Sequence, residues 1–412
     1  MNWCDEYAMI SRRALFGTVS CAVLGTKALS QIVLNKKGTE HTLVVVFLRG
    51  GMDGLSAVAP FGEDAYYQSR PTLALRKNDL HNLDGFFGLH PALSKLIPSF
   101  AEGRVAIVHA AGSQDSSHSH FEAMNAMERG VATAEESTGN GWLARYLNAT
   151  RTDHDSALRA VAFSPVMPDS LRGGTNCVAI ESLSEYRLRN EQMKPHLAAM
   201  YANGSDLMTR SGRESLRVLQ MLERSRMDAY RPENGAVYPD SDFAQALKQV
   251  AFLVKSDFGL EIACLERGGW DTHVAQGTTS GWLASQLSDL GDSLAAFDRD
   301  IARIRRRVTV VVMTEFGRRA YENSGLGTDH GSASLMFVIG EGLHGGKVHG
   351  EWPGLSEEKL SGPGDLKVTT DYRAVLRTIL QVRMRSQAAA AKVFPTAPPL
   401  SFQLFNGRST NP

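Results

Sequence analysis

Apolar positions along this chain follow two rhythms. Unbroken β-branched runs such as His41-Thr-Leu-Val-Val-Val-Phe-Leu48 predict strands buried on both faces. Similar runs predict strands at Val105–Ala110, Ala160–Phe163, Leu260–Leu265, Val308–Thr314 and Leu335–Ile339. Helical spacing alternates with them. The clearest case joins Leu283, Leu287, Leu290, Leu294, Phe297, Ile301 and Ile304 at steps of 4,3,4,3,4,3, with Arg303, Arg305, Arg306 and Arg307 suited to its C-terminal end. That helix runs straight into Val308–Thr314. Strand, helix and strand in this order predict right-handed crossovers and a doubly wound, mainly parallel α/β sheet flanked by helices.

Residues 185–255 break the rhythm. They carry helix-forming, charged sequence (Glu214–Arg226, Ala244–Lys255) without a clear strand, and read as a helical insertion in a single α/β domain spanning 41–400. Val131–Gly141 reads as an exposed loop.

The first 34 residues differ from the rest. Arg12 and Arg13 stand directly before a mostly apolar run from Ala14 to Leu34, with small residues Ala28 and Ser30 near a cleavage point. This pattern fits an export leader of the twin-arginine type, and predicts a periplasmic or secreted protein that meets the twin-arginine export machinery. No later segment has the roughly 20 uninterrupted apolar residues of a membrane span.

Composition changes little. Charge balances at 44 basic against 44 acidic residues, which argues against a nucleic-acid partner. Setting aside Arg12, Arg13 and Lys27 with Asp5 and Glu6 (+3 − 2 = +1) leaves the mature part near −1. Of four cysteines, Cys4 and Cys21 lie in the leader, while Cys177 and Cys264 read as buried thiols or one disulfide.

Sites in open parallel sheets form beyond the carboxyl ends of the strands. Several predicted strands here end in metal-ligand residue types. The first ends in Gly51-Met-Asp53-Gly54. Leu260–Leu265 leads through Glu266 into GGWDTH, which brings Asp271 and His273. Val308–Thr314 runs into Glu315-Phe-Gly-Arg318, and GTDHG places Asp329 and His330 before Leu335–Ile339. Carboxylates and imidazoles on separate loops are the donors of a zinc, manganese or calcium site. Asp53 reads equally as a turn residue, and Asp271 and Asp329 as helix caps. Arg49 and Arg318 can each clamp an oxyanion or pair with a carboxylate.

Ser116-Ser-His-Ser-His120-Phe-Glu122 has two readings. Ser119 with Glu122 fits a capping box. A serine at a helix N-terminus can also act as a nucleophile, with His118 or His120 as ligand or acid/base.

The motifs FLRGGMDGL, SSHSHFEAMNAMERG, GGWDTH, VVVMTEFGR and GTDHGSASLMFVIGEGLHGGKVHG resemble those of an uncharacterised family of bacterial exported proteins within the alkaline-phosphatase and sulfatase superfamily. The resemblance runs from about Leu43 to Phe394. It implies a metal-dependent hydrolase of phosphate or sulfate esters acting on a small-molecule or glycan substrate, with two divalent cations. It also implies a nucleophilic role for Ser119 and metal roles for Asp53, Asp271, His273 and His330, with Glu315 in the place of the second ligand pair. The residues themselves add His120 and Arg318 as catalytic candidates and Asp329 as a metal candidate. Thr314-Glu315-Phe316 departs from the expected Asp-His pair, and a Cys-x-Pro-x-Arg signature is absent. These departures leave a binding or assembly protein that keeps the fold without catalysis as the alternative.

Overall fold

The computed structural model describes residues 41–136, 139–224 and 227–407; the leader and its twin arginines lie outside the described residues. The main sheet is built from β1 (Thr42–Leu48), β2 (Val105–Gly112), β3 (Ala160–Phe163), β4 (Cys177–Ala179), β5 (Ile262–Arg267), β6 (Val308–Thr314), β9 (Ser334–Gly340), β10 (Lys347–His349) and β11 (Thr370–Asp371). A hairpin of β7 (Arg318–Glu322) and β8 (Thr328–His330) stands apart from it. Strand order is β10-β2-β9-β6-β1-β5-β3-β4, with β11 also beside β2. Pairing is parallel except for β9, which runs antiparallel to both β2 and β6. The mainly parallel sheet expected from the apolar runs is therefore present, with one reversed strand.

All seven residues of β1 are buried, as a central strand between two helical layers requires. Leu43, Val45 and Phe47 pack in a core with α2 (Trp142–Ala149), α6 (Tyr372–Val382) and α7 (Gln387–Val393). The apolar stripe read in the sequence becomes α5 (Trp282–Asp300), with Leu283, Leu287, Leu290, Leu294 and Phe297 all buried. The helix stops at Asp300, so Ile304 falls beyond it.

The segment 185–255 holds α3 (Leu207–Arg224) and α4 (Asp242–Lys255). Residues Arg187–Gln220 form a compact unit of their own. Within it Arg213 donates to the carbonyls of Tyr201 (3.1 Å) and Gly204 (2.9 Å). Among the described residues no helix is long and apolar enough to cross a membrane.

Both described cysteines are free thiols. Cys177 on β4 and Cys264 on β5 are separated by β3, where they align with Ala160 and Ala162 respectively. Two strand spacings of about 4.8 Å already exceed the roughly 7 Å limit for a disulfide, so the disulfide reading is corrected.

Register explains why the loops meet. Leu48 aligns with Arg267 of β5 on one side and Thr314 of β6 on the other. Arg49, Gly268 and Glu315 therefore leave the sheet at one level, and Ser334, opposite Ala111, enters β9 at the same edge.

Two buried histidines tie the fold to pH. His109 accepts from Ala110 N–H through Nδ1 (2.9 Å) and donates Nε2–H to Val58 O (3.0 Å). Burial pushes its pKa down to about 4. Burial and then Arg383, Arg385 and Arg307 push His41 down to about 3. Both stay neutral in the fold while the unfolded chain takes up protons near 6.5. Their contribution is complete above that pH and is lost on acidification toward 4, at about 1.4 kcal/mol per pH unit per histidine. Urea denaturation between pH 7 and pH 5 should show this slope, and His109→Gln should reduce it by one histidine's share, about 1.4 kcal/mol per pH unit; an unchanged slope would refute the assignment.

Candidate metal centre

Asp271 and His273 lie in the loop after β5, His330 ends β8, and His120 opens α1 (His120–Arg129) after β2. Their side chains converge. Asp271 Oδ1 lies 3.1 Å from Nε2 of His273 and 3.1 Å from Nε2 of His330, and those two ring nitrogens are 2.9 Å apart. His120 Nε2 is 3.5 Å from Asp271 Oδ2. His120, Asp271 and His330 offer ligand atoms all within 4.8 Å of one another.

The opposite ring nitrogens are also engaged. His330 Nδ1 donates to His118 O (2.8 Å), His120 Nδ1 to Glu315 Oε1 (2.8 Å), and His273 Nδ1 to Asp329 Oδ1 (3.2 Å). A carbonyl or carboxylate can only accept, so in the neutral rings each Nδ1 carries the proton and each Nε2 turns a lone pair inward. Three lone pairs and a carboxylate then face one another, and this repels unless a cation or protons sit among them. The Nε2 of His120 is buried and has no hydrogen-bond partner. A tetrahedral ion with bonds of about 2.0–2.1 Å spaces its ligand atoms about 3.3 Å apart, close to the 2.9–3.5 Å between neighbouring atoms here, while the group in full mutual reach is His120, Asp271 and His330. Nδ1 anchoring by carboxylates and carbonyls is also the usual outer shell of metal-bound histidine. The donor set fits a divalent ion.

Without an ion, protons fill that role. Burial opposes a charge on His120, but the adjacent carboxylates of Asp271 and Glu315 prevail and raise its pKa to about 9. The bond to Asp271 raises His273 as well. Burial alone would raise Asp271, but His120, His273, His330 and Arg318 hold it far below the usual carboxylate range.

Glycines let these loops close. Gly50 has φ +122°, and a Cβ there would stand 2.6 Å from Asp271 N. Its N–H donates to Glu315 Oε1 (2.8 Å). A Cβ on Gly327 would meet the His273 carbonyl carbon at 2.3 Å. Phe316, where an imidazole was expected, packs its ring 4.8 Å from both His120 and His330.

The remaining candidates take other positions. Asp53 is not brought to the cluster. It is fully buried, caps the short helix Gly54–Ala57, and binds Arg70 (2.6 and 3.1 Å), Ser56 (2.7 Å) and Gln276 (2.7 Å). Burial would raise its pKa, but Arg70 keeps it lowered, so this carboxylate is already neutralised. Glu315 is fully buried and orients His120 rather than joining the inward-facing donors. Asp329 stands behind His273 in the same way and also accepts from Asn323 (2.9 Å).

Arg318 is buried with all three nitrogens engaged, by Gly51 O (2.7 Å), Thr328 O (2.9 Å), Trp270 O (3.2 Å), Gly50 O and Asp271 (2.6 Å). It positions the ligand loops and has no nitrogen left for an oxyanion clamp. Arg49 is likewise paired, with Glu266 (2.5 Å) and Glu128 (3.3 Å). Ser119 is the N-cap of α1, its hydroxyl accepting from Glu122 N (3.5 Å). Ser119→Ala is expected to cost about 1 kcal/mol of stability and to leave metal content unchanged, as calorimetry and elemental analysis would measure.

Sequence reading missed the support behind the site. Gln276 accepts from Thr272 (2.7 Å) and Thr328 (2.9 Å), which flank the ligand residues, while donating to Asp53. His118, at φ +53°, donates to buried Asp365 (2.6 Å), which also accepts from Ser332 (2.7 Å). Arg70, Gln276 and Asp365 carry no local pattern that sets them apart from surface polar residues.

A family model described as "Protein of unknown function (DUF1501)" matches residues 105–393. No curated protein matches the chain. Among solved structures the chain is similar to the C-terminal periplasmic domain of EcEptC from Escherichia coli in complex with Zn, at 9% identity and TM-score 0.36, covering 84% of each chain. It is also similar to alkaline phosphatase from the Antarctic bacterium TAB5, at 11% identity and TM-score 0.32, covering 74% of this chain and 93% of that one. A third is the phosphonate monoester hydrolase of Agrobacterium radiobacter, at 10% identity and TM-score 0.30, covering 83% and 73%.

Proposed function

The chain belongs to the family of unknown function DUF1501, and we propose that within it this protein is a metal-dependent hydrolase of phosphate or sulfate esters. One observation carries the reading: three histidines with anchored Nδ1 atoms turn Nε2 toward Asp271. His120, His273, His330 and Asp271 would hold the ion. Imidazole donors favour zinc over calcium, which prefers an all-oxygen shell. A divalent ion there supplies Lewis-acid chemistry to an ester.

The chain's own residues do the rest. Glu315, Asp329 and the His118 carbonyl hold the imidazoles in one tautomer. Arg318 fixes Asp271, whose side chain is 46% exposed and leaves the cluster open to a substrate on one side. Water serves as nucleophile in this reading, since the Ser119 hydroxyl caps α1. Export through the leader remains part of the proposal.

The test is direct. Full-length protein should bind about one zinc per chain, the number a single four-donor site takes, and turn over at least one of an aryl phosphate, a phosphodiester or an aryl sulfate. A chelator and His330→Ala should each abolish turnover. No stoichiometric metal, or turnover indifferent to His330→Ala, would end the reading. Metal without turnover would favour the binding-protein alternative.

A further inference from the structure

Exposed apolar side chains on this protein are not scattered. Nine large ones stand exposed among the described residues, and three of these sit beside cluster histidines in the chain or hairpin: Phe121 after His120, Val274 after His273, and Leu326 in the turn leading to β8, while Tyr321 lies on β7 and Trp282 opens α5. Isolated exposed apolar groups are ordinary, whereas a concentration beside polar groups marks a ligand surface.

Phe121 follows His120 on α1 and is 74% exposed, and Val274 follows His273 and is 72% exposed. Backbone pairing brings Val274 beside Leu326: Ala275 N–H donates to Gly325 O (2.9 Å) and Gln276 N–H to Leu326 O (2.9 Å). Trp282 joins the same loop, its Nε1–H donating to Gly269 O (2.6 Å) two residues before Asp271. With that bond made, the indole has no polar atom left to solvate, yet it is 59% exposed. Apolar groups this close along the chain to a charged centre suit a ligand with the same division.

We propose that the substrate is an amphiphilic ester. Its phosphate or sulfate group faces the His120–Asp271–His330 cluster, and its aryl or long alkyl group packs on Phe121, Val274, Trp282 and Leu326. The head-group half of this assignment rests on the hydrolase reading. A wholly polar ester would leave these side chains in water, so they favour the amphiphile over a glycan ester.

Alkylphosphonates test it, because their P–C bond is not hydrolysed and binding is read without turnover. In calorimetric titration of zinc-loaded full-length protein, octylphosphonate should bind at least about tenfold more tightly than butylphosphonate, as partial burial of four methylenes predicts. Val274→Ser and Leu326→Asn should bring the two affinities together while zinc content stays unchanged. Asparagine is chosen because it tolerates the left-handed backbone at Leu326, φ +57°.

Equal affinities in the wild type, no binding of either ligand, or chain-length dependence that survives both substitutions would overturn the proposal. So would dissociation of a dimer by either substitution, since a second copy would then cover these apolar groups. Chain-length-dependent binding without any ester turnover would remove the hydrolase reading and leave the amphiphile site standing. Turnover indifferent to chain length would do the reverse.

Discussion

Asp271→Asn should lower zinc affinity by at least about 100-fold, because the substitution removes the only carboxylate of the four donors proposed above. It keeps the side-chain volume, so the loss reports charge and not packing. Glu315→Gln should act more weakly, by about 10- to 100-fold, because Glu315 works through the His120 tautomer.

Protons compete for the same space. The carboxylates of Asp271 and Glu315 raise His120 to about 9, against the effect of burial, so the metal-free site is protonated at neutral pH. Zinc uptake must release that proton, and affinity should climb about tenfold per pH unit per proton displaced until pH passes about 9. Titration in buffers of different ionisation enthalpy counts the protons. Zinc affinity unchanged by Asp271→Asn, or no proton release at pH 7, would contradict the assignment of these donors.

The largest stability effect is expected away from the cluster. Arg70→Met leaves the Asp53 carboxylate fully buried with no cationic partner, bonded only by Ser56, Gln276 and the Leu55 N–H. An unpaired buried charge costs about 3–5 kcal/mol, which lowers Tm by on the order of 10 °C. Asp53→Leu together with Arg70→Met should recover most of that loss, since a buried ion pair is readily replaced by apolar side chains of similar volume. Thermal unfolding of the two single variants and the double variant measures the coupling. An Arg70→Met protein within about 1 kcal/mol of the wild type would show that Asp53 is not held as described. Because Gln276 links Asp53 to Thr272 and Thr328, the same variant should also weaken zinc binding.

The sequence alone determined the frame. Unbroken apolar runs located β1, β2, β3, β5, β6 and β9 to within two residues at each end, because a strand buried on both faces needs apolar residues at every position. The 3.6-residue stripe found α5, because one of its faces is buried. Ligand-type residues at several strand ends pointed to the edge where Asp271, His273 and His330 converge, since a parallel sheet delivers its strand ends together.

Tertiary structure decided which of those residues face the centre. Asp53 and Asp271 look alike in sequence, a carboxylate beside glycine-rich turns. Arg70, 17 positions from Asp53, neutralises the first, and three imidazoles, from α1, from β8 and from its own loop, stand beside the second. The hairpin of β7 and β8 escaped the apolar pattern because it is short and polar. Arg318 was legible as a strand-end cation, but the carbonyls that engage it come from the loops after β1 and β5 and from β8. Local pattern records whether a position is buried or exposed. It does not record the long-range partner that makes a buried charge a ligand, a brace or a neutralised pair, and that choice is made only when the chain closes on itself.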